Sequence, residues 1–289
     1  MESKLLKFKN NIRENYFAYL VLLLGVLFIM FPIYVAFVAS TYDTPTISRG
    51  KMSLTFGNKF LENYKQAWDL GSGQRVKGVP IKILLLNSFI LAILVSVGKI
   101  TLSILSAYAI EFFSLPFKNF FFWIIFSTLM MPLEVRIVST YKVLSDFNLI
   151  NTYQGLVLPL MVSATGTLLI RQSLKSIPKE VLEAALIDGI GPFSLLFSII
   201  IPFIRPNIAS LFVIMFIYGW NQYLWPLLVL TEPEKQPIVV GIARMIGGAD
   251  SMTDWNLIMS SAIIAIIIPL FITIIAQKWL IKGLVDIEK

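Results

Sequence analysis

Six stretches of this chain run with almost no formal charge for long enough to cross the hydrocarbon of a membrane, and that pattern limits the fold more than any other feature. A helix rises about 1.5 Å per residue, so crossing a bilayer core takes about 20 apolar residues. The stretches are residues 17–39, 83–110, 119–140, 150–170, 206–230 and 256–278. Lys99 interrupts the second, and Glu134 and Arg136 stand in the third. The chain is 57% apolar and 14% charged, against about a quarter charged in a soluble domain. The expectation is an all-α polytopic membrane protein with six transmembrane helices, forming one transmembrane domain over residues 1–289. Residues 189–204 are also apolar, but that run is short and holds Pro192 and Pro202. It reads as an interfacial elbow before the fifth span.

An even number of spans puts both termini on one side. With the termini in the cytoplasm, the inner segments carry twelve Lys and Arg residues, whereas the loops after spans three and five carry only Lys142, Lys235 and Arg244. The first outer loop, about residues 40–82, holds seven more, but long loops are less constrained by charge. The expectation is a multi-pass protein of the cell (inner) membrane with both termini cytoplasmic. The net charge of +7 then belongs to the lipid bilayer, and no nucleic-acid partner is expected. The apolar run near the N-terminus exceeds the 7–15 residues of a signal-peptide core, so it reads as an uncleaved first span.

Several chemistries are excluded. The chain has no histidine and no cysteine, so it offers no disulfide, thiolate metal site, cysteine nucleophile or imidazole base. No metal site and no catalytic residue is expected. A phosphate-cradling P-loop needs Gly, four residues, Gly-Lys and a hydroxyl residue. The nearest approach, Gly98-Lys99-Ile100, lacks both the hydroxyl and the upstream glycine. ATP, where used, is hydrolysed by another polypeptide.

The most informative segment is RQSLKSIPKEVLEAALIDGIGPFSLLFSIIIPFIR, residues 171–205. Pro178 suits a first helical turn, Glu180 the positive dipole end and Gly189 a C-terminal stop. The spacing predicts a helix over about 178–189, with Val181, Leu182, Ala185 and Leu186 on one side. So short a helix needs something to pack against. It either rests on the lipid interface or docks into a partner's groove.

Here a resemblance becomes specific. Glu183-Ala184-Ala185, then Gly189, then Ile199 and Pro202, resemble the EAA signature of the membrane subunits of ABC importers. Ile201 stands where that signature usually has leucine. Asn87, Ser88, Ala107 and Tyr108, and the run from Leu149 to Gly155, are similar to the carbohydrate-uptake subgroup. The run from Tyr218 to Leu227 and the ending Gly283-Leu284-Val285-Asp286 resemble those of its members that import sn-glycerol-3-phosphate. The resemblance implies a type I importer permease fold with a cytoplasmic coupling helix between spans four and five. It assigns ATPase docking to Glu183, Ala184, Ala185, Asp188, Gly189 and Pro202. It also implies a heterodimer with a second permease subunit, two ATP-binding subunits that hold ATP and Mg, and an extracytoplasmic solute-binding protein. The cargo it implies is sn-glycerol-3-phosphate or a related glycerophosphodiester, moved by alternating access. The chain itself would be a transport subunit, not an enzyme, with no cofactor of its own.

Within the spans, polar groups are costly and usually face a cavity or another helix. Trp220, Asn221, Gln222, Tyr223 and Trp225 crowd the fifth span. Amides between aromatic rings can bind a polyol, or they can form an interfacial belt with interhelical amide bonds. Asn87 is a further candidate for the substrate path. Arg136 can hold a phosphate bidentately or lie at the outer interface, and Lys99 can meet a carboxylate on a partner subunit. The outer loops 40–82 and 232–255 are either plain connectors or partner surfaces. Two other readings of the whole remain: an importer of another sugar or polyol, and a stand-alone secondary carrier. Carriers usually show paired repeats with intramembrane acids, and Glu134 is the one such acid here.

Overall fold

The computed structural model describes residues 16–71, 78–114, 116–128, 133–246 and 253–285. Lys4, Lys7, Lys9, Arg13, Arg75, Lys77, the Gly247-Gly248 pair, Asp286 and Lys289 lie outside the described residues, as do the side chains of Glu134 and Lys282. All regular structure among the described residues is helical. The chain divides into two compact units, one made of residues 1–78 and 245–264, the other of residues 79–244 and 265–289.

The first unit begins with α1, Tyr16–Ala39, a charge-free helix of 24 residues. Its large side chains are exposed from Phe17 through Phe31, with only Val38 and Ala39 buried. An apolar surface of that length is stable only against lipid or another membrane helix. Residues 40–71, expected as connector or partner surface, fold into α2, Thr44–Ser48, and α3, Phe60–Leu70. Asp43 caps α2 by accepting from the Thr46 amide at 3.1 Å, and the Thr46 side chain first, with the backbone amides after it, holds its carboxyl below the usual carboxylate range. Asn63 is buried, and its amide donates to the carbonyls of Ser40 and Tyr42 at 2.8 and 2.7 Å. Its side-chain oxygen accepts from Asn256 Nδ2 at 2.8 Å. The start of the last helix, α14, Trp255–Val285, is thereby tied to the loop.

The second unit is organised around α4, Ile81–Phe112, of 32 residues. After it come α5, Lys118–Ser127, and α6, Leu133–Asp146, which together occupy the predicted third span. The predicted fourth span is broken: α7, Tyr153–Val157, with its 3-10 extension to Leu160, meets α8, Ala164–Lys175, at 50°. Ser163 makes the break tolerable, because its hydroxyl accepts from the Gly166 amide at 3.0 Å and caps α8. Next come α9, Lys179–Ile187, and α10, Pro192–Phe203. α10 meets α11, Arg205–Trp220, at 77°. Pro192 starts α10 where the sequence suggested a break. Pro202 is carried within it directly after a π-turn at Leu195–Ile200. The chain turns only at Ile204, with Pro206 opening α11. The predicted fifth span also ends early, giving way at Asn221 to the short α12, Leu224–Val229. α13, Ile238–Met245, precedes α14.

α4 packs chiefly against α11 and α8. Between helices in lipid the hydrophobic effect offers little, so close backbone approach and hydrogen bonds carry the association. Gly219 of α11 sits where an added Cβ would lie 2.8 Å from the Ala92 Cα. Gly219→Ala therefore forces the two helices apart at a cost of about 1–3 kcal/mol and lowers the melting midpoint of the detergent-solubilised protein. Gly25→Ala, whose Cβ meets nothing within 4 Å, leaves the midpoint unchanged; equal midpoints for the two variants would refute this contact.

Candidate coupling and transport sites

The Glu183 segment forms a helix, α9, that is closed at both ends by local chemistry. Pro178 is its cap residue, extended at ψ 136, and the first helical residue is Lys179. Glu180 lies in the first turn, at the positive end of the dipole. At the other end Gly189 takes φ +69, the Gly189 amide donates to Leu186 O at 3.1 Å, and the Ile190 amide donates to Ala185 O at 3.1 Å. This pair of bonds around a left-handed glycine is a Schellman stop. An added Cβ at Gly189 would touch nothing within 4 Å, so backbone conformation alone requires the glycine.

The helix is fixed to the unit by one side. Ala185 is 4% exposed and joins a core with Ile170, Leu174 and Ile177 of the α8 side, Ala107 and Tyr108 of α4, and Leu196 and Ile200 of α10. Leu182 packs partly against that core. The other two residues expected on the inner face, Val181 and Leu186, are exposed, because only the narrow stripe through Leu182 and Ala185 meets the core. Glu183, Ala184, Asp188 and Gly189 are exposed, and so are Ile187, Phe193 and Phe197. Pro202 is half-buried within α10. A cavity of about 690 Å³ opens beside the helix, bounded by Phe112, Leu174, Leu182, Leu186 and Pro192.

Two contacts missed by the sequence reading hold this region to α4. Tyr108 donates to Pro192 O at 2.8 Å. Arg171 of α8 pairs with Glu111 of α4 at 3.1 Å, while its guanidinium lies 4.0 Å from the centre of the Phe122 ring of α5. Both charged residues sit at the ends of predicted spans, and that placement was the available signal.

The crowded run in the fifth span divides into two sets. Trp220 is buried and stacks on Phe216, and Trp225 is buried with its indole N–H donating to Leu156 O at 3.1 Å. Gln222 is buried and donates to Tyr218 O at 3.0 Å. These three are packing residues. Asn221 and Tyr223 are exposed and free to face a path. Arg136 is exposed on α6.

Asn87 does not face a path. Its amide nitrogen donates to Glu234 O at 2.7 Å and Gln236 O at 3.0 Å, and its oxygen accepts from Tyr153 at 2.8 Å. With both amide hydrogens and the oxygen engaged, it anchors the loop after α12. Ser88 helps by accepting from the Ile238 amide at 2.7 Å. Lys235 donates to Asn151 O at 3.1 Å, and Asn151 hydrogen-bonds Glu232. The segment 232–238 is thus folded onto the second unit, not a plain connector.

Residues 76–286 match the family described as binding-protein-dependent transport system inner membrane component. The sn-glycerol-3-phosphate transport system permease protein UgpE of Brucella melitensis is 50% identical over 96% of this chain and 98% of its own. The proteins of the same name from Agrobacterium fabrum and Yersinia pestis are 50% and 46% identical, each over 94% of this chain and 96% of its own. Among solved structures, a bacterial ABC transporter involved in the import of alginate superposes with a TM-score of 0.78 at 19% identity, covering 93% of this chain and 97% of that one. The alginate transporter in complex with its pentasaccharide-bound periplasmic protein gives 0.61 at 17% identity, covering 92% of this chain and 94% of that one. Together with helices apolar enough to cross a membrane, the match over most of the chain makes this protein a member of the binding-protein-dependent inner-membrane permease family.

Proposed function

We propose that this permease is one of two membrane subunits of an ABC importer that takes up sn-glycerol-3-phosphate, or a related glycerophosphodiester, by alternating access. The observation that carries the cargo is identity of about half the residues, over almost the whole chain, to permeases named for that substrate. The partners are a second permease subunit, two ATP-binding subunits holding ATP and Mg, and an extracytoplasmic solute-binding protein. Both termini face the cytoplasm, and the chain hydrolyses nothing itself.

In this reading α9 is the coupling helix. Its core side, through Ala185, is fixed to α4, α8 and α10, while Glu183, Ala184, Asp188 and Gly189 are turned outward for the ATPase. ATP binding draws the two ATPase subunits together and moves the coupling helices with them. A two-state membrane element is thus biased by a ligand bound on another chain. Along the path, Asn221 and Tyr223 meet the polyol and Arg136 meets the phosphate.

Replacing Gly189 with leucine puts a side chain into a left-handed conformation and a bulk onto the docking face. In proteoliposomes holding the complete transporter, Gly189→Leu lowers ATP-dependent uptake about tenfold or more, the scale of an ordinary coupling free energy. Co-purification of the ATPase falls with it. Unchanged uptake with the ATPase retained overturns the coupling role, and uptake by this chain alone on a gradient without ATP establishes a secondary carrier instead. Arg136→Gln weakens uptake of the phosphate ester about tenfold with assembly intact, as read from initial rates of labelled sn-glycerol-3-phosphate; normal rates remove Arg136 from the path.

A further inference from the structure

The cavity beside α9 has a lining of two kinds. Its wall is apolar and comes from four elements: Phe112 at the end of α4, Leu174 of α8, Leu182 and Leu186 of α9, and Leu195 of α10. Its charged members are Glu111, Lys175 and Lys179. Glu111 is already paired, since the Arg171 guanidinium stands 3.1 Å from its carboxylate. Lys175, the last residue of α8, and Lys179, the first of α9, are exposed, and among the described residues neither has an ion pair. The charge that the cavity offers a ligand is therefore that of two ammonium groups.

Its place in the fold decides which ligand can reach it. The apolar runs 83–110 and 150–170 end just before Glu111 and Arg171, so the lining lies at the depth where hydrocarbon gives way to headgroups. The Tyr108 ring meets the Phe112 and Phe113 rings at 5.1 and 5.5 Å, and aromatic side chains favour that boundary. Phe113 is 43% exposed and Leu186 69%, although both border the cavity. A ligand seated there covers apolar side chains that this chain leaves open. At about 690 Å³ the cavity falls within the range of organic-ligand sites, about 300–1,000 Å³. Free phosphate would leave Phe112, Leu182 and Leu186 wet, and a purely apolar molecule would leave both lysines unused. An acidic lipid satisfies both, and basic pockets between membrane helices at this depth bind such headgroups.

We propose that this cavity is the seat of one anionic phospholipid, its phosphate held by Lys175 and Lys179 and its acyl chain laid against Phe113, Leu182 and Leu186. A lipid in this seat touches α4, α8, α9 and α10 at once, and so braces α9 against the helices behind it. The seat itself rests on the cavity. Its effect on transport rests on the coupling role proposed for α9, because a braced α9 passes more of an ATPase-driven movement to α4.

The test uses the complete transporter in vesicles of phosphatidylcholine, with and without phosphatidylglycerol that carries a photoreactive acyl chain. Illumination places label on the peptides that hold Phe113, Leu182 and Leu186, as read by mass spectrometry. Lys175→Gln with Lys179→Gln lowers that label about tenfold, the scale of two cations near a membrane surface. Lys175→Arg with Lys179→Arg keeps the label. So does Lys118→Gln, which removes an exposed cation of α5 that does not border the cavity. Wild-type peptides without label, or equal label in the glutamine pair, overturn the seat. Label displaced by inorganic phosphate overturns it in favour of a free-anion site. Label that appears only after the ATP-binding subunits are removed overturns it too, because a protein segment then fills the cavity. In the same vesicles, ATP-dependent uptake of labelled sn-glycerol-3-phosphate rises several-fold with phosphatidylglycerol, and the glutamine pair removes the rise. A labelled seat with no such rise overturns the bracing of α9. Absence of any sn-glycerol-3-phosphate uptake strikes the cargo reading, while the label still reads the seat.

Discussion

The packing of α4 against α8 and α11 is the constraint on which the second unit depends. Hydrocarbon solvates apolar surface as well as a protein interior does, so these helices do not associate by excluding water. They associate because Gly219 lets α11 meet the Ala92 backbone and because polar groups on α4 find partners on its neighbours. Asn87 and Ser88 near the start of the helix hold the segment after α12. Tyr108 and Glu111 near its end hold α10 and α8. One rod of 32 residues, about 48 Å long at the usual rise, thus carries the segment after α12 at one end and the proposed coupling region at the other.

Irregular backbone has a definite use here. Within a membrane each helix break exposes amides and carbonyls that need partners. At residues 161–163 the Ser163 hydroxyl takes an amide and the Lys99 ammonium takes a carbonyl. A continuous fourth helix would keep the Val162 carbonyl in its own ladder and leave Lys99 without its acceptor. The break and the buried cation therefore explain each other.

Much of this was legible in the sequence, and the reasons are local. Pro178, Glu180 and Gly189 are signals read within one helix, so α9 appears within about a residue of its expected position at the start. The long apolar runs likewise become α1, α4 and α14. What periodicity does not reveal is where an apolar run breaks, as at Ser163 and Asn221, since side chains well suited to lipid are found on both sides of each break. The sides taken by Trp220, Gln222 and Trp225 were hidden for the same reason, because the helix ends among them. Asn87 was counted among the candidates for the substrate path. Its actual partners lie 66 to 149 residues away in the chain, and no spacing rule reaches that far.

The Schellman stop at Gly189 bears on how such a subunit would be put together. Its hydrogen bonds come from residues 185 to 190 alone, so the outward shape of α9 is set as soon as this stretch of chain has folded. In the proposed coupling role, a motor protein arriving later would find a finished plug and order little on contact, which keeps the entropy loss of association small. Recognition can then precede the completion of the rest of the membrane complex.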